Sequence, residues 1–238
     1  MDSSICCINR TSVEQFSKYL ISLILPETFA SHFCLAGGCF KSLIHSKDPN
    51  DIDLWPVSES DRLKLIDELV SQGGDILSEG EFNTVFRQPL FNDLTESPKI
   101  ETTNRCLKIE VTKKCPSSLE LCLANFDLVL SCVGVEFDSG KIVQSHIHSD
   151  VARDVVNREV NLVKSLKRHK YNLLSLKRLH RYANELGYSV PSTTIDYLWQ
   201  VTFMHASEEE RKDLLQAAHI ELSEIPPQFR FLEPSYIE

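Results

Sequence analysis

The sequence lacks the long apolar runs that mark membrane spans and exported proteins. Its longest apolar stretches are too short to cross a bilayer, and the N-terminus has no basic region followed by an apolar run and a small-residue cleavage site. Internal repeats and low-complexity tracts are also missing. We therefore expect an unexported, cytoplasmic protein with no membrane partner. Its 238 residues, 42% of them hydrophobic, are enough to bury a core.

Cysteine motifs are missing as well, although the chain has eight cysteines. None of them forms a Cys-x-x-Cys pair or stands at metal-ligand spacing from a histidine. Most lie inside apolar patterns, as Cys34, Cys122 and Cys132 do, so buried, reduced thiols are expected. His146 and His148 form a His-x-His pair at a hairpin exit, a position that is usually without a ligand.

Positive charge is scarce over most of the chain. The net charge of −9 excludes a protein that coats nucleic acid with its whole surface. A local basic face is nevertheless predicted between residues 153 and 181, and a plain solvated surface is its alternative interpretation. Its basic residues are Arg153, Arg158, Lys164, Lys167, Arg168, His169, Lys170, Lys177, Arg178, His180 and Arg181.

The spacing of apolar residues divides the chain near residue 148. It predicts an α+β part over 1–148 and an all-helical part over 149–238. The predicted helices are 11–25, 39–44, 58–70, a turn at 117–123, and then 150–167, 173–186, 193–206 and 208–217. The predicted strands are 33–36, 52–57, 75–78, 83–88, 107–112, 126–137 and 142–145, the last two joined by a hairpin turn at 138–141.

The residues most suited to binding a ligand run from a Gly-Gly turn to an Asp-Ile-Asp segment. Gly37 and Gly38 lie between a strand and a helix, where backbone N–H groups and the helix end can hold a phosphate. Asp51 and Asp53 are two residues apart on a predicted strand, so both carboxylates point to one face. Unpaired carboxylates on an apolar strand are costly to desolvate, which favours a bound divalent cation.

A third carboxylate is expected from a neighbouring strand. Asp127 begins the strongest later strand pattern and is surrounded by apolar residues. Glu110, in the predicted strand 107–112, is the competing choice. We favour Asp127, because the end of a strand next to the Asp51/Asp53 strand is a suitable position for the third carboxylate.

These motifs resemble the nucleotidyltransferase superfamily of DNA polymerase β, poly(A) polymerases and CCA-adding enzymes. The double glycine followed by Lys41 is similar to the Gly-Gly-x-x-Arg form of the tRNA nucleotidyltransferase head. Residues 83–85, 108–111 and 126–127 are similar to strand motifs of small stand-alone phage and bacterial members, and 176–188 to a later helix signature. The resemblance covers about residues 30–190. It implies a mixed nucleotidyltransferase sheet with flanking helices, followed by an all-helical C-terminal domain.

The resemblance also implies an activity. A nucleotidyl group would pass from an ATP-like nucleoside triphosphate to an acceptor hydroxyl, with release of pyrophosphate. Asp51, Asp53 and Asp127 would hold two Mg²⁺ ions, and Asp127 would help to deprotonate the acceptor. Gly37, Gly38, Lys41, Lys177 and Arg178 would contact the nucleotide, although lysine at 41 lacks the bidentate fork of arginine.

The sequence is compatible with more than one acceptor of the nucleotidyl group. The basic helical face favours the end of an RNA, such as a tRNA, while the size and acidity of the chain also permit a hydroxyl on a protein or a small molecule. A different class remains as well: an inactive nucleotide-binding or protein-interaction module that retains the fold.

Overall fold

The computed structural model describes residues 8–44, 49, 51–90, 106–163, 172–204 and 206–229. The chain forms two compact units. Unit 1 comprises Met1–Phe126 with Leu130–Ala152, and unit 2 comprises Asp127–Val129 with Arg153–Glu238. The domain boundary near residue 148 stays a prediction from the sequence.

Unit 1 is built on a seven-stranded mixed sheet with the order β3-β4-β5-β2-β1-β6-β7. Only β2 and β5 run parallel within this order, and every other neighbouring pair is antiparallel. The strands are β1 His32–Ala36, β2 Asp51–Pro56, β3 Asp75–Glu79, β4 Asn83–Pro89, β5 Cys106–Thr112, β6 Val133–Asp138 and β7 Lys141–Ile147.

Several helices pack on this sheet. The helices that begin in this unit are α1 Arg10–Ser22, α2 Cys39–Ile44, α3 Glu59–Ser71, α4 Leu119–Leu123 and α5 Val151–Asn157. Helix α3 packs on β2 and β5, and α1 packs on β6 and β7. Helix α4 packs on β1, β6 and β7, and its core includes Cys34 and Ala36. Because side chains alternate along a strand, Ile52 and Leu54 are buried on one face while Asp51, Asp53 and Trp55 share the other.

Local sequence signals explain where several elements begin and turn. Asn9 caps α1 in a reciprocal capping box with Ser12. Ser58 caps α3, and its side chain accepts from the Asp61 N–H. The β6–β7 hairpin turns at Ser139 and Gly140, both with positive φ, as two-residue hairpins require.

Unit 2 is helical apart from short extended segments. Its longest helix, α6 Asn172–Leu186, buries an apolar stripe and contacts α7 Ser192–Met204 and α8 Glu208–Ala218. A Gly187 with φ +66° follows α6, a conformation that glycine adopts at low cost after a helix. Two short 3₁₀ turns, Leu222–Glu224 and Pro227–Phe229, complete the described part of this unit.

The predicted strand 126–137 is wrong over its first half. Residues Val129–Ser131 form a 3₁₀ turn, and the strand begins only at Val133. Leu128, Val129 and Leu130 are each 1% exposed, a continuous burial that an alternating strand does not require. Consecutive apolar residues cannot distinguish a buried strand from a buried turn, which explains the error.

The predicted helix 150–167 is also too long. Helix α5 ends at Asn157, and Arg158 takes a left-handed conformation with φ +54°. The following segment is extended, with β-bridges from Glu159 to Ser189 and from Leu162 to Leu128. Residues 164–167 of this prediction lie outside the described residues.

The predicted fold class is confirmed: a mixed sheet with flanking helices is followed by C-terminal helices. Within the described ranges, no helix is both long and apolar enough to cross a membrane. Six cysteines lie in the described ranges, and no disulfide joins any of them: Cys34, Cys39, Cys106, Cys115, Cys122 and Cys132.

Candidate functional site

Strand β2 carries both predicted carboxylates on the sheet face that α3 does not cover. Asp51 is exposed and Asp53 is half-buried, whereas Ile52 and Leu54 are fully buried on the opposite face. The same-face geometry expected from the Asp-Ile-Asp spacing is present. Both carboxylates are thus available to a ligand on this face.

The Gly-Gly turn places backbone directly against Asp53. Gly37 has φ +102°, and its N–H donates to the Val133 carbonyl at 3.2 Å. A Cβ on Gly37 would come within 3.1 Å of Asp53 Oδ2 and 3.0 Å of the Phe126 ring. Only glycine therefore fits this close approach without displacing its neighbours. The Phe126 ring is itself packed edge-on against Trp55, with ring centroids 5.5 Å apart.

The other two predicted residues of this turn lie at the start of α2. Gly38 precedes the helix, and its carbonyl accepts a hydrogen bond from the Lys41 N–H at 3.1 Å. Lys41 is the third residue of α2 and is half-buried. Gly37, Gly38, Lys41, Asp51 and Asp53 therefore all belong to unit 1, on adjoining elements.

Glu110 lies directly opposite Asp53. Strand β5 pairs in parallel with β2, and the register places Glu110 against Asp53 and Lys108 against Asp51. Three carboxylates, Asp51, Asp53 and Glu110, therefore share one face of two neighbouring strands, and we call them the carboxylate cluster.

Both oxygens of Glu110 already have partners. Oε1 accepts a hydrogen bond from the Lys108 ammonium, and Oε2 accepts one from Asn83 Nδ2 at 2.5 Å. The same alternation of charge continues across the neighbouring strands. Arg87 of β4 lies opposite Lys108 and pairs with Asp75 of β3 at 2.7 Å. Lys108 and Arg87 thus each have a carboxylate partner on the sheet.

The carboxylate cluster is electrostatically strained. Burial, then the charges of Glu110 and Asp51, raise the pKa of Asp53 to about 7, and Lys108 opposes this shift. Burial and the two neighbouring aspartates also raise the pKa of the Cys39 thiol. The cluster therefore carries more negative charge than its surroundings compensate, which is the condition that a bound cation relieves.

The chemistry of these donors fits a hard divalent cation. Carboxylate oxygens are preferred ligands of Mg²⁺, and the Gly37 backbone leaves open the space beside Asp53 that a Cβ would fill. Among the residues that the structure describes, however, no three acidic, histidine or cysteine side chains converge as a metal site. Asp51, Asp53 and Glu110 are the residues that would hold a metal.

Asp127 has a different environment in unit 2. It is 7% exposed, and its Oδ2 accepts hydrogen bonds from Ser175 Oγ and from the Arg178 guanidinium, the latter at 2.6 Å. The expectation that Asp127 begins a strand beside β2 is wrong, since the neighbours of β2 are β1 and β5. Its role as a metal ligand stays a prediction.

Lys177 and Arg178, the remaining predicted nucleotide contacts, lie on α6. Arg178 pairs with Asp127, and Lys177 Nζ donates to the His219 carbonyl at 3.2 Å. The most basic part of the predicted face, Lys164, Lys167, Arg168, His169 and Lys170, lies outside the described residues. Of the flanking residues, Arg153 pairs with Asp154 and Arg181 lies 3.9 Å from Glu185.

Sequence reasoning missed Lys108, Asn83 and Arg87. One signal was present: Lys108 and Glu110 alternate in strand β5, so they share a face. Their position opposite Asp51 and Asp53 could not be found from that alternation, because the register of two strands far apart in sequence is not encoded locally.

The fold is similar to that of CCA-adding enzymes. The structure of a CCA-adding enzyme with CTP is similar with a TM-score of 0.54 and 13% identity over 94% of this chain and 49% of that one. The Thermotoga maritima CCA-adding enzyme complexed with tRNA gives 0.52 and 12% over 95% of this chain and 50% of that one. This chain thus spans about half the length of these solved structures.

The sequence itself identifies a family. Residues 10–158 match the Gabija anti-defense 2 family, and this chain belongs to it. A comparison with curated proteins gives no match. The matched residues include the Gly-Gly turn, β2 and β5, so the family match and the carboxylate cluster lie in the same part of the chain.

Proposed function

We propose that this protein is a Mg²⁺-dependent nucleotidyltransferase. It transfers a nucleotidyl group from a nucleoside triphosphate to an acceptor hydroxyl and releases pyrophosphate. The observation that carries the proposal is the carboxylate cluster: Asp51, Asp53 and Glu110 lie on one face of two paired strands, with the Gly37 backbone against Asp53. The likeness of the fold to enzymes solved with CTP and with ATP supports it.

The glycine turn, Lys41 and the carboxylate cluster have separate roles in this reaction. The Gly37–Gly38 turn and Lys41 hold the β- and γ-phosphates, since an open backbone and a cation suit phosphate oxygens. Asp51 and Asp53 would hold the metal. Bound there, Mg²⁺ would supply charge stabilisation for the attacking and leaving oxygens of an in-line displacement.

The covalent step is an exchange of one P–O bond for another. The acceptor oxygen bonds to the α-phosphorus, while the bond from that phosphorus to the bridging oxygen of the β-phosphate breaks. The pyrophosphate takes the electron pair of the broken bond. The hydroxyl proton passes to the third carboxylate, acting as a general base.

We propose Glu110 as that third carboxylate. Its support is the register that places it opposite Asp53, and its charge is one cause of the raised pKa of Asp53. Asp127, favoured by the sequence, is instead charge-paired with Arg178. Within unit 2, Asp127 fixes Arg178. The nucleotide contacts expected for Arg178 and Lys177 stay predictions from the sequence.

The first acceptor proposed is the hydroxyl at the end of an RNA. Its support is the fold of CCA-adding enzymes, one of which is solved with tRNA, together with the basic residues predicted between 153 and 181. A second candidate follows from the family name: an anti-defense protein could modify a hydroxyl of a Gabija defence component. We propose that the reaction takes place in the cytoplasm, where both acceptors would be met.

One labelling experiment tests the reaction and the acceptor together. The protein is incubated with Mg²⁺ and each α-labelled nucleoside triphosphate, separately with total RNA, tRNA and purified Gabija proteins. We expect label in one pool and stoichiometric pyrophosphate, and no label with Asp51→Asn. The matched control is Asp75→Asn, which removes an exposed carboxylate of β3 outside the cluster.

The alternative from another class is a binding module that keeps the fold without catalysis. Nucleotide binding that needs Mg²⁺, without pyrophosphate release from any acceptor pool, would support that alternative and overturn the enzymatic proposal. Release of pyrophosphate that is equal for the protein and Asp51→Asn would overturn it too, since the cluster would then have no part in the reaction.

A further inference from the structure

Lys108 contacts the carboxylate cluster from within the sheet. It lies opposite Asp51 in the register of β2 and β5, and its ammonium donates to Oε1 of Glu110, two residues further along its own strand. Its side chain is about half exposed, so the ammonium can leave this contact for solvent without a large packing loss.

The charge of Lys108 is directed at the cluster. Lys108 lowers the pKa of Asp53, against the raising effects of burial and the two other carboxylates. The hydrogen bond to Glu110 in turn raises the pKa of the Lys108 ammonium. Arg87, the next cation along the same row, is directed instead at Asp75.

A metal ion at Glu110 would lie next to this ammonium. Oε1 of Glu110 accepts from Lys108 and Oε2 accepts from Asn83, so each oxygen already has one donor. A carboxylate oxygen has two acceptor sites, so a cation can share either oxygen with its donor. Of the two donors, only the Lys108 ammonium carries a positive charge, which repels a divalent cation at this carboxylate.

We propose that Lys108 is an internal counter-ion of Glu110 whose positive charge weakens divalent cation binding at this carboxylate. This inference rests on the proposed metal-dependent function and adds to it a residue that sets metal affinity. Lys108 also lies opposite Asp51 in the strand register, so its charge is next to a second carboxylate of the cluster. Lys108 is thus a positioning residue, acting through Glu110.

The test compares Mn²⁺ binding by the protein, Lys108→Gln and Arg87→Gln, measured by calorimetry and by the paramagnetic resonance signal of free Mn²⁺. We expect Lys108→Gln to bind Mn²⁺ about 5-fold more tightly, since the lost ion pair is worth about 1 kcal/mol. Arg87→Gln removes the same charge one strand further out and should change the affinity less than twofold. Lys108→Arg keeps the ion pair and should bind as the unchanged protein does.

A thermal measurement gives a second readout. In EDTA, Lys108→Gln leaves the cluster with less compensation, so its melting temperature should be lower than that of the unchanged protein. Saturating Mn²⁺ should raise it by more than it raises the unchanged protein, since the metal then replaces the lost cation.

The outcomes separate this inference from the function on which it rests. Equal Mn²⁺ affinity for the unchanged protein and Lys108→Gln overturns the role of Lys108 and leaves the metal-dependent function standing. An equal gain in Arg87→Gln also overturns it, because general charge would then explain the effect. Failure of every form to bind Mn²⁺ overturns the proposed metal site itself.

Discussion

Asp53 and Asp127, two carboxylates in different units of this protein, have opposite environments. In unit 1, Asp53 lies against Glu110 and Asp51, and burial with these like charges raises its pKa to about 7. In unit 2, Asp127 is almost fully buried, but Arg178 and Ser175 both donate to it. The same functional group is therefore undercompensated in one unit and paired in the other.

This difference indicates which carboxylates are available to a cation. A carboxylate held by a guanidinium is already satisfied, and a metal would have to compete with a strong charge-assisted hydrogen bond. Carboxylates crowded on one sheet face gain from any added positive charge. A strongly perturbed pKa in a cluster of this kind is a recognised mark of functional sites, and here it coincides with the Gly37 turn.

The largest expected effects come from replacing one carboxylate in each unit, Glu110 in unit 1 and Asp127 in unit 2. Glu110→Gln should lower nucleotidyl transfer about 100-fold or more and weaken Mn²⁺ binding about 10-fold, because it removes a metal ligand and general base. Asp127→Asn should leave Mn²⁺ affinity within twofold while lowering the free energy of unfolding by about 1–3 kcal/mol, since Arg178 loses its partner. Transfer assays, calorimetry and urea unfolding measure these quantities.

The reverse result would contradict the proposed difference between Glu110 and Asp127. A loss of Mn²⁺ affinity in Asp127→Asn as large as that in Glu110→Gln would return the metal role to Asp127. Glu110→Asp serves as the control for charge, and it should retain part of the Mn²⁺ binding that Glu110→Gln loses.

The next prediction concerns the stability of the Gly37 variant, since the Gly37 backbone lies against Asp53. Gly37→Ala should lower the free energy of unfolding by about 2–4 kcal/mol, because a positive φ and two close contacts oppose the added methyl group. Gly73→Ala, at φ +83° with its nearest contact at 3.8 Å, is the matched control and should lose only about 1–2 kcal/mol. Equal losses, measured by urea unfolding, would show that the approach to Asp53 and Phe126 is not tight.

The smallest expected effect concerns pH. A carboxyl with a raised pKa in the folded state binds protons there more tightly than in the unfolded chain, so it lowers stability as the pH rises from about 4 to about 7. In EDTA, Asp53→Asn should therefore exceed the unchanged protein in stability by roughly 1–3 kcal/mol at pH 8, with the difference vanishing near pH 4. Parallel pH profiles of unfolding for the two proteins would contradict an undercompensated Asp53.

Much of this site could be predicted because its signals are local. The Gly-Gly turn needs a residue without a side chain at Gly37, and two-residue spacing alone places Asp51 and Asp53 on one face. The helix α2 and the hairpin after β6 follow from neighbouring residues in the same way. None of these features depends on a partner distant in the chain.

The sequence favoured Asp127 over Glu110 as the third carboxylate, because the contact between Glu110 and Asp53 depends on strand register. Glu110 reaches Asp53 only through the parallel pairing of β2 with β5, whose intervening segment contains a helix and two further strands. Asp127 had the stronger local pattern, but its apolar neighbours are buried in a 3₁₀ turn. Local hydrophobicity reports burial and cannot report which strand lies alongside.

The sequence by itself determined the alternating elements, the glycine turn and the pair of aspartates, because steric limits on φ and the period of a strand act over a few residues. Only the tertiary structure decided which charges meet. It placed Glu110 against Asp53, Lys108 on Glu110 and Arg178 on Asp127. These contacts arise from pairing between segments far apart in the chain, and charge interactions depend on distance and burial rather than on residue type.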